Sequence, residues 1–411
     1  MRQLRPTLWC CWLAVLCAGW WIGAQGEANP SQAPGVAPAA AAPFAITHGP
    51  YLQLPTTTSV AIVWHTNRPA VSRVEYGLTD RLDAVAVASE NGLIPNDRTS
   101  HVIRLTGLLP ARSYKYRVVS REFVGYEKQH IVKYGETVAS ETLSFTTLDP
   151  RAGAFSFPLL SDIHENAARL ERLLNTVDMG RTPFVVYDGD MVNDFMLPNQ
   201  PFPAFVDTSV ARFATHVPFI FVRGNHEVRG RYARRLSDYF PLQAGRAYYS
   251  FDSGAVHVIV LDSGEDKPDT HEYYNGLVDF ERYRGEQARW LADDLRSSAA
   301  RQARYRIVVS HIPPYESRQP ATAGAAEGFA VEQVRKHWEP LANAGGVNLW
   351  LSGHTHRPGI VPPAAGRNRY HLIINAPDTL TRVEVSPQQL VVTITRETGE
   401  PLEKTVIRPS R

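Results

Sequence analysis

The chain has 411 residues, 44% of them hydrophobic and 20% charged, enough to bury the cores of two domains. Its 43 basic and 41 acidic residues nearly cancel and no long run of like charge occurs, which argues against a long nucleic acid as partner. All three cysteines, Cys10, Cys11 and Cys17, lie near the amino terminus, so the rest of the chain can form no disulfide, thiolate metal site or thiol nucleophile.

Arg2 and Arg5 precede an apolar stretch over residues 8–23, and small residues follow at Ala24 and Gly26. This pattern predicts a signal peptide over residues 1–26, too short in its apolar core for the roughly 20 residues of a membrane span. The expected product is exported, secreted or periplasmic. With Arg2 and Arg5 removed it carries 41 basic and 41 acidic residues and has no further candidate span. Residues 27–43 are rich in Pro and Ala and read as a linker.

From 44 to 148 the chain reads as all-β. Strand-like runs cover residues 59–64, 72–76, 101–105, 113–120 and 141–147, separated by turn formers at sandwich spacing. Residues 121–136 read as a long insertion. After Asp149-Pro150 strands and helices alternate, which predicts an α/β domain over 153–411. Strands are expected at 155–161, 184–187, 219–222, 256–261, 307–310 and 347–351. Helices are expected at 166–177, 286–295 and 331–341, and antiparallel strands over 382–407.

Five polar blocks each follow a predicted strand: Ser161-Asp162-Ile163-His164, Gly189-Asp190, Gly224-Asn225-His226-Glu227, Ser310-His311 and Gly353-His354-Thr355-His356. Ligand sites of open α/β sheets lie beyond the carboxyl ends of strands, so five loops from one sheet edge can converge on a point. Taken singly, Asp-x-His and Gly-Asp are commoner in polar turns, and His311 could be a satisfied core histidine. Together, in order and each after a strand, they point to a metal cage. Carboxylate oxygen and imidazole nitrogen suit Mn, Fe and Zn. Asp190 has two oxygens with which to bridge two ions, and a water between them would lose a proton near neutral pH and become a nucleophile. His354 and His356, two apart, would point to one side of an extended segment.

These blocks resemble the signature of the calcineurin-like metallophosphoesterases over residues 153–380. The segment His48-Gly49-Pro50-Tyr51-Leu52-Gln53 and the β-rich region after it resemble the N-terminal domain of purple acid phosphatases. Leu108 to Tyr116 further resembles the tyrosine corner of fibronectin type III-like domains. The resemblance implies a four-layer metallophosphoesterase β-sandwich flanked by helices and preceded by an all-β fibronectin type III-like domain. It implies that Asp162, His164 and His356 hold one metal, that Asn225, His311 and His354 hold another, and that Asp190 bridges both. His226 would contact the phosphate and protonate the leaving oxygen, a role imidazole suits. Arg223 could stabilise phosphoryl charge. The family's purple branch carries Tyr three residues after the bridging Asp and Gly in its first block. Here Asn193 and His164 stand there, so tyrosinate–iron ligation is not expected and the metals, Fe, Mn or Zn, stay open.

The expected function is hydrolysis of a small phosphate monoester by a metal-bridging hydroxide. The alternatives are a phosphodiesterase, a nucleotidase, or an exported binding protein with a vestigial phosphoesterase core. Asp262 reads as a supporting carboxylate, Asp188 and Asp194 as solvated or capping residues, and the aromatic cluster around Tyr239 and Tyr249 as core. The acidic stretch over residues 265–274 is expected at the site rim.

Overall fold

The protein is described here from a computed structural model covering residues 42–316 and 328–409. The expected signal peptide, the three cysteines and nearly all of the linker lie outside the described residues. Among the described residues no helix is long and apolar enough to cross a membrane.

Two large sheets face each other. One runs, in spatial order, Pro401–Ile407, Leu390–Arg396, Thr379–Val385, Phe155–Leu160, Val185–Asp188, Phe219–Val222, Ile46–Gln53, Val60–Thr66 and Ser100–Leu105. The other runs Tyr249–Ser253, Val256–Val260, Tyr305–Val309, Leu349–Ser352, His371–Ile374 and Gly359–Val361. Side chains alternate across a strand, and the central strands are apolar on both faces, as strands covered on both sides must be. Phe157, Val186 and Ile220 meet Val258, Ile307 and Leu349 between the sheets. On the outer face of the first sheet, Val185 and Tyr187 pack with Leu170, Leu173 and Phe213. On the outer face of the second, Val308 and Trp350 pack with Leu291 and Trp338. The result is four layers, helix, sheet, sheet, helix.

The first helix, Ala167–Leu174, is capped by Asn166, whose side chain accepts from Arg169 N at 3.0 Å. Helix Phe280–Asp294 begins six residues before the expected 286. Helix Phe329–Ala344 covers the expected third one.

The β-rich segment supplies a smaller sheet of Ala84–Ala86, Ala70–Gly77, Ser113–Lys128 and Ile131–Ala139, with Leu143–Thr146 paired to Ser113–Lys128. It closes on Val60–Thr66 through Ile62, Trp64, Val74, Tyr116 and Phe145. Tyr114 Oη accepts from Leu109 N at 2.9 Å, the bond that defines a tyrosine corner. One expectation is corrected: residues 121–136 are not a separate insertion but the outer half of a long hairpin, whose polar, two-sided sequence hides its strand period. The β-rich segment precedes the α/β part and also joins it: Gln53 pairs in parallel with Phe219, so three of its strands continue the first large sheet.

Candidate metal centre

Strands Phe155–Leu160, Val185–Asp188 and Phe219–Val222 are parallel neighbours, so three of the five blocks emerge side by side at their carboxyl ends. Tyr305–Val309 and Leu349–Ser352 are parallel neighbours in the facing sheet and supply the other two. The blocks therefore come from two sheets, not from one edge as the sequence suggested.

Backbone bonds lock these loops to one another. Asp162 N donates to Gly189 O, His164 N to Asp190 O and Glu165 N to Met191 O, each at 3.0 Å. Gly353 N donates to His311 O at 3.0 Å. Asp162, His164, Asp190, His354 and His356 all have left-handed backbone, with φ between 49° and 72°. Such conformations cost energy for non-glycine residues and persist where surrounding contacts over-determine them. Gly189, at φ 78°, takes the same region without a Cβ. A Cβ on Gly353 would lie 2.6 Å from Asp162 Oδ2, so glycine there makes room for the carboxylate.

The seven expected ligand residues are brought together. Donor atoms of Asp162, His164 and His356 lie within 4.8 Å of one another, as do those of Asp190, His311 and His354. His164 Nε2 faces His356 Nε2 at 3.1 Å, and His356 Nε2 is 3.3 Å from Asp162 Oδ1. His311 Nε2 is 3.0 Å from Asp190 Oδ2 and 4.0 Å from Asp162 Oδ1. Asn225 Oδ1 lies 2.9 Å from His354 Nδ1. His354 and His356 do not share one side of an extended segment: the left-handed turns send one into each group.

Two observations test whether these donors suit cations. His311 Nε2 is buried without a well-aligned hydrogen-bond partner among the described residues, and His311 Nδ1 is held by Asp188 O at 2.6 Å, the arrangement that fixes a ligand imidazole. Two imidazole nitrogens also face each other at contact distance beside a carboxylate. Both features suit a positive charge between the groups.

Electrostatics point the same way. Burial would raise the Asp190 carboxyl, but the charge of His311 beside it, with the His226 backbone N–H that donates to it, holds it below the usual carboxylate range. Burial would lower His311, but Asp190, Asp162 and Asp188 push it well up. Burial lowers His354 to about 4 and also lowers His164. A hydrogen bond to Asp162 raises His356 against the effect of burial.

Surrounding residues complete the site. Ser161 Oγ donates to Asp162 Oδ2 at 2.5 Å. Glu227, 1% exposed, accepts from Asp190 N at 2.9 Å, Met191 N at 2.7 Å, Val192 N at 3.3 Å and Gly224 N at 2.9 Å. It clamps the Asp190 loop to the Asn225 loop; burial and the Asp190 charge raise it to about 7. Its place in Gly-Asn-His-Glu was the one sequence signal for this role. Asp188 is fully buried, neither carboxylate oxygen has a hydrogen-bond partner among the described residues, and burial pushes its pKa well up, so the solvated reading of it is corrected.

His226 Nδ1 is held by Asn193 O, and its Nε2 lies 3.9 Å from Asp190 Oδ2. Arg229 Nη1 is 3.3 Å from the same Nε2. Arg229 is fixed by Glu265 at 2.6 and 2.8 Å and by Asp266 at 3.2 Å. Nothing in the sequence singled Arg229 out, because its anchors come from a loop 36 residues further on. That loop is the acidic stretch expected at the rim. Tyr273 stands there, 54% exposed, with Arg229 Cζ 5.6 Å and Lys267 Nζ 5.7 Å from its ring centre. Arg223 is placed elsewhere: Nη2 pairs with buried Asp262 Oδ2 at 2.5 Å, and Tyr283 Oη donates to the same oxygen at 3.1 Å.

The calcineurin-like phosphoesterase family matches residues 156–358, and the purple acid phosphatase N-terminal domain matches residues 48–147. Purple acid phosphatase 18 of Arabidopsis thaliana is 32% identical over 109 residues, 26% of this chain and 20% of that protein. Serine/threonine-protein phosphatase CPPED1 of Danio rerio is 27% identical over 179 residues, 42% of this chain and 54% of that one. The chain thus spans about half the length, or less, of these curated relatives. Purple acid phosphatase PPD1 from yellow lupin (Lupinus luteus) seeds superimposes with a TM-score of 0.65 at 14% identity, covering 87% of this chain and 74% of that one. PhoD superimposes at 0.59 and 12% identity, covering 88% and 92%. These two likenesses bear on the fold alone. The matched family segment contains all seven candidate ligands, and the chain belongs to the calcineurin-like metallophosphoesterases, with an N-terminal domain of the purple acid phosphatase kind.

Proposed function

We propose that the protein hydrolyses small phosphate monoesters at a centre for two metal ions, Fe, Mn or Zn. Asp162, His164 and His356 would hold one ion, Asn225, His311 and His354 the other, with Asp190 shared. The observation carrying this reading is the pair of three-residue donor groups, each within 4.8 Å, built from four loops of two sheets, with Asn225 of the fifth loop against His354. Bound at these groups, cations would supply Lewis-acid chemistry, neutralising phosphoryl oxygens and acidifying water.

The chain's own residues would do the rest. His226, oriented through Nδ1, turns Nε2 toward the donor groups and would deliver a proton to the departing oxygen. Arg229 Nη1 beside it offers a second donor to a phosphoryl oxygen, the task the sequence suggested for Arg223. Because Arg223 is engaged by Asp262, we assign it to holding its loop in place. Exposed Tyr273 at the rim favours an aryl leaving group. Export through the amino-terminal segment belongs to the same proposal.

The test is hydrolysis of an aryl phosphate and a bis-aryl phosphate by full-length protein supplied with Mn, Fe or Zn. Faster turnover of the monoester is expected. Preference for the diester would shift the reading to a phosphodiesterase, and no hydrolysis of either with metal bound would leave the vestigial reading in place.

A further inference from the structure

A cavity of about 150 Å³ lies where the end of strand Ile46–Gln53 meets the end of Phe219–Val222 and the loop over residues 233–249. None of the seven candidate ligands lines it. Its walls are apolar at Leu54, Phe240 and Tyr249, which are 4%, 5% and 8% exposed. A void of about this size accepts one benzene-sized ring.

Its polar lining is one-signed. Arg223, Arg234 and Arg246 face it and no Asp or Glu does. Asp262 balances Arg223 from behind. Arg234 donates to Leu277 O at 2.9 Å, and Arg246 lies 5.5 Å from the Tyr248 ring centre, so neither charge is answered by a carboxylate in these contacts. Gln53 also lines the cavity; it is 1% exposed and its Nε2 has no hydrogen-bond partner among the described residues. A buried amide without a partner costs free energy that a bound acceptor would recover, and rotating the amide exchanges its oxygen and nitrogen at no covalent cost.

We infer that this cavity is a binding site for a small carboxylate carrying one apolar ring. The ring would occupy the wall of Leu54, Phe240 and Tyr249. The carboxylate would meet Arg234 and Arg246, whose forked donors match its two oxygens. Gln53 would complete the recognition. The inference is independent of phosphate chemistry, and its readout needs no turnover.

The experiment is ¹⁹F NMR of 4-fluorobenzoate with the full-length protein, with 4-fluorobenzamide as the neutral probe. Saturable line broadening is expected for the benzoate, and at least about tenfold weaker binding for the amide. Arg234→Ala combined with Arg246→Ala, at exposed positions, should weaken benzoate about tenfold. Ser237→Trp should abolish binding by filling the cavity while leaving aryl phosphate turnover unchanged. Excess inorganic phosphate should not displace the probe. Absence of broadening, equal binding of the amide, displacement by phosphate, or indifference to both variants would each overturn the site.

Discussion

The two halves of the candidate centre share residue types but not surroundings. His311 and its carboxylate Asp190 are 0% and 2% exposed, whereas His356 is 50% exposed over a fully buried Asp162. In the inner half, charge is held by charge in a dry environment, so removing one partner leaves the other uncompensated. In the outer half, water can replace what is removed. The inner half is therefore part of the folded core, and the outer half is an adaptable edge facing solvent.

His226 straddles this division, since its ring nitrogen, a carboxylate oxygen of Asp190 and a ring nitrogen of His164 also lie within 4.8 Å. If it acts on substrate rather than on metal, His226→Ala should cut turnover by about 10²–10⁴ while metal content stays unchanged. Loss of metal in step with turnover would make it a ligand. The contrast between halves should appear directly in metal-free protein. His311→Ala is expected to cost about 3–5 kcal/mol in urea denaturation, and His356→Ala about 0.5 kcal/mol. Equal losses would erase the distinction.

His257 offers a control away from the five loops. It is 2% exposed and lies between Asp252 at 2.7 Å and Asp294 at 3.0 Å. Burial opposes its protonation, but these bonds and charges raise it from 6.5 to about 9. A raised histidine stabilises fully below its unfolded value, and that contribution fades as pH rises from about 6.5 through 9. The stabilisation lost is on the order of 3 kcal/mol. Urea denaturation of the wild type and His257→Gln should differ at pH 6 and converge by about pH 10, with or without added metal. A metal-dependent difference would tie this pair to the centre. A further effect concerns the clamp: Glu227→Gln should lower metal affinity about 10–100-fold, measured by competition with a chelator. No change would mean that the loops hold without it.

The same contrast explains what the sequence could tell. The seven candidate ligands were legible because each sits in a short block directly after an apolar strand. Glu227 was visible only as the end of such a block, and Asp188 looked like one more polar neighbour. Arg229 was invisible, since its meaning comes from Glu265 and His226 meeting through folding. Arg223, two residues before Asn225, was misleading because its guanidinium turns to the buried carboxylate of Asp262, far off in sequence. In the fold, the α/β alternation was plain, whereas the pairing of Gln53 with Phe219 spans 166 positions and leaves no local pattern. The polar hairpin over residues 121–139 lacked the apolar alternation that marks a strand with one buried face.

Elemental analysis of reconstituted protein tests the central claim most directly, run on the wild type and on His356→Ala. The wild type should hold about two metal ions per chain, and the variant about one, retained by the inner half. Equal content in both proteins, or fewer than about one ion in the wild type, would contradict a two-ion centre with one buried and one exposed half.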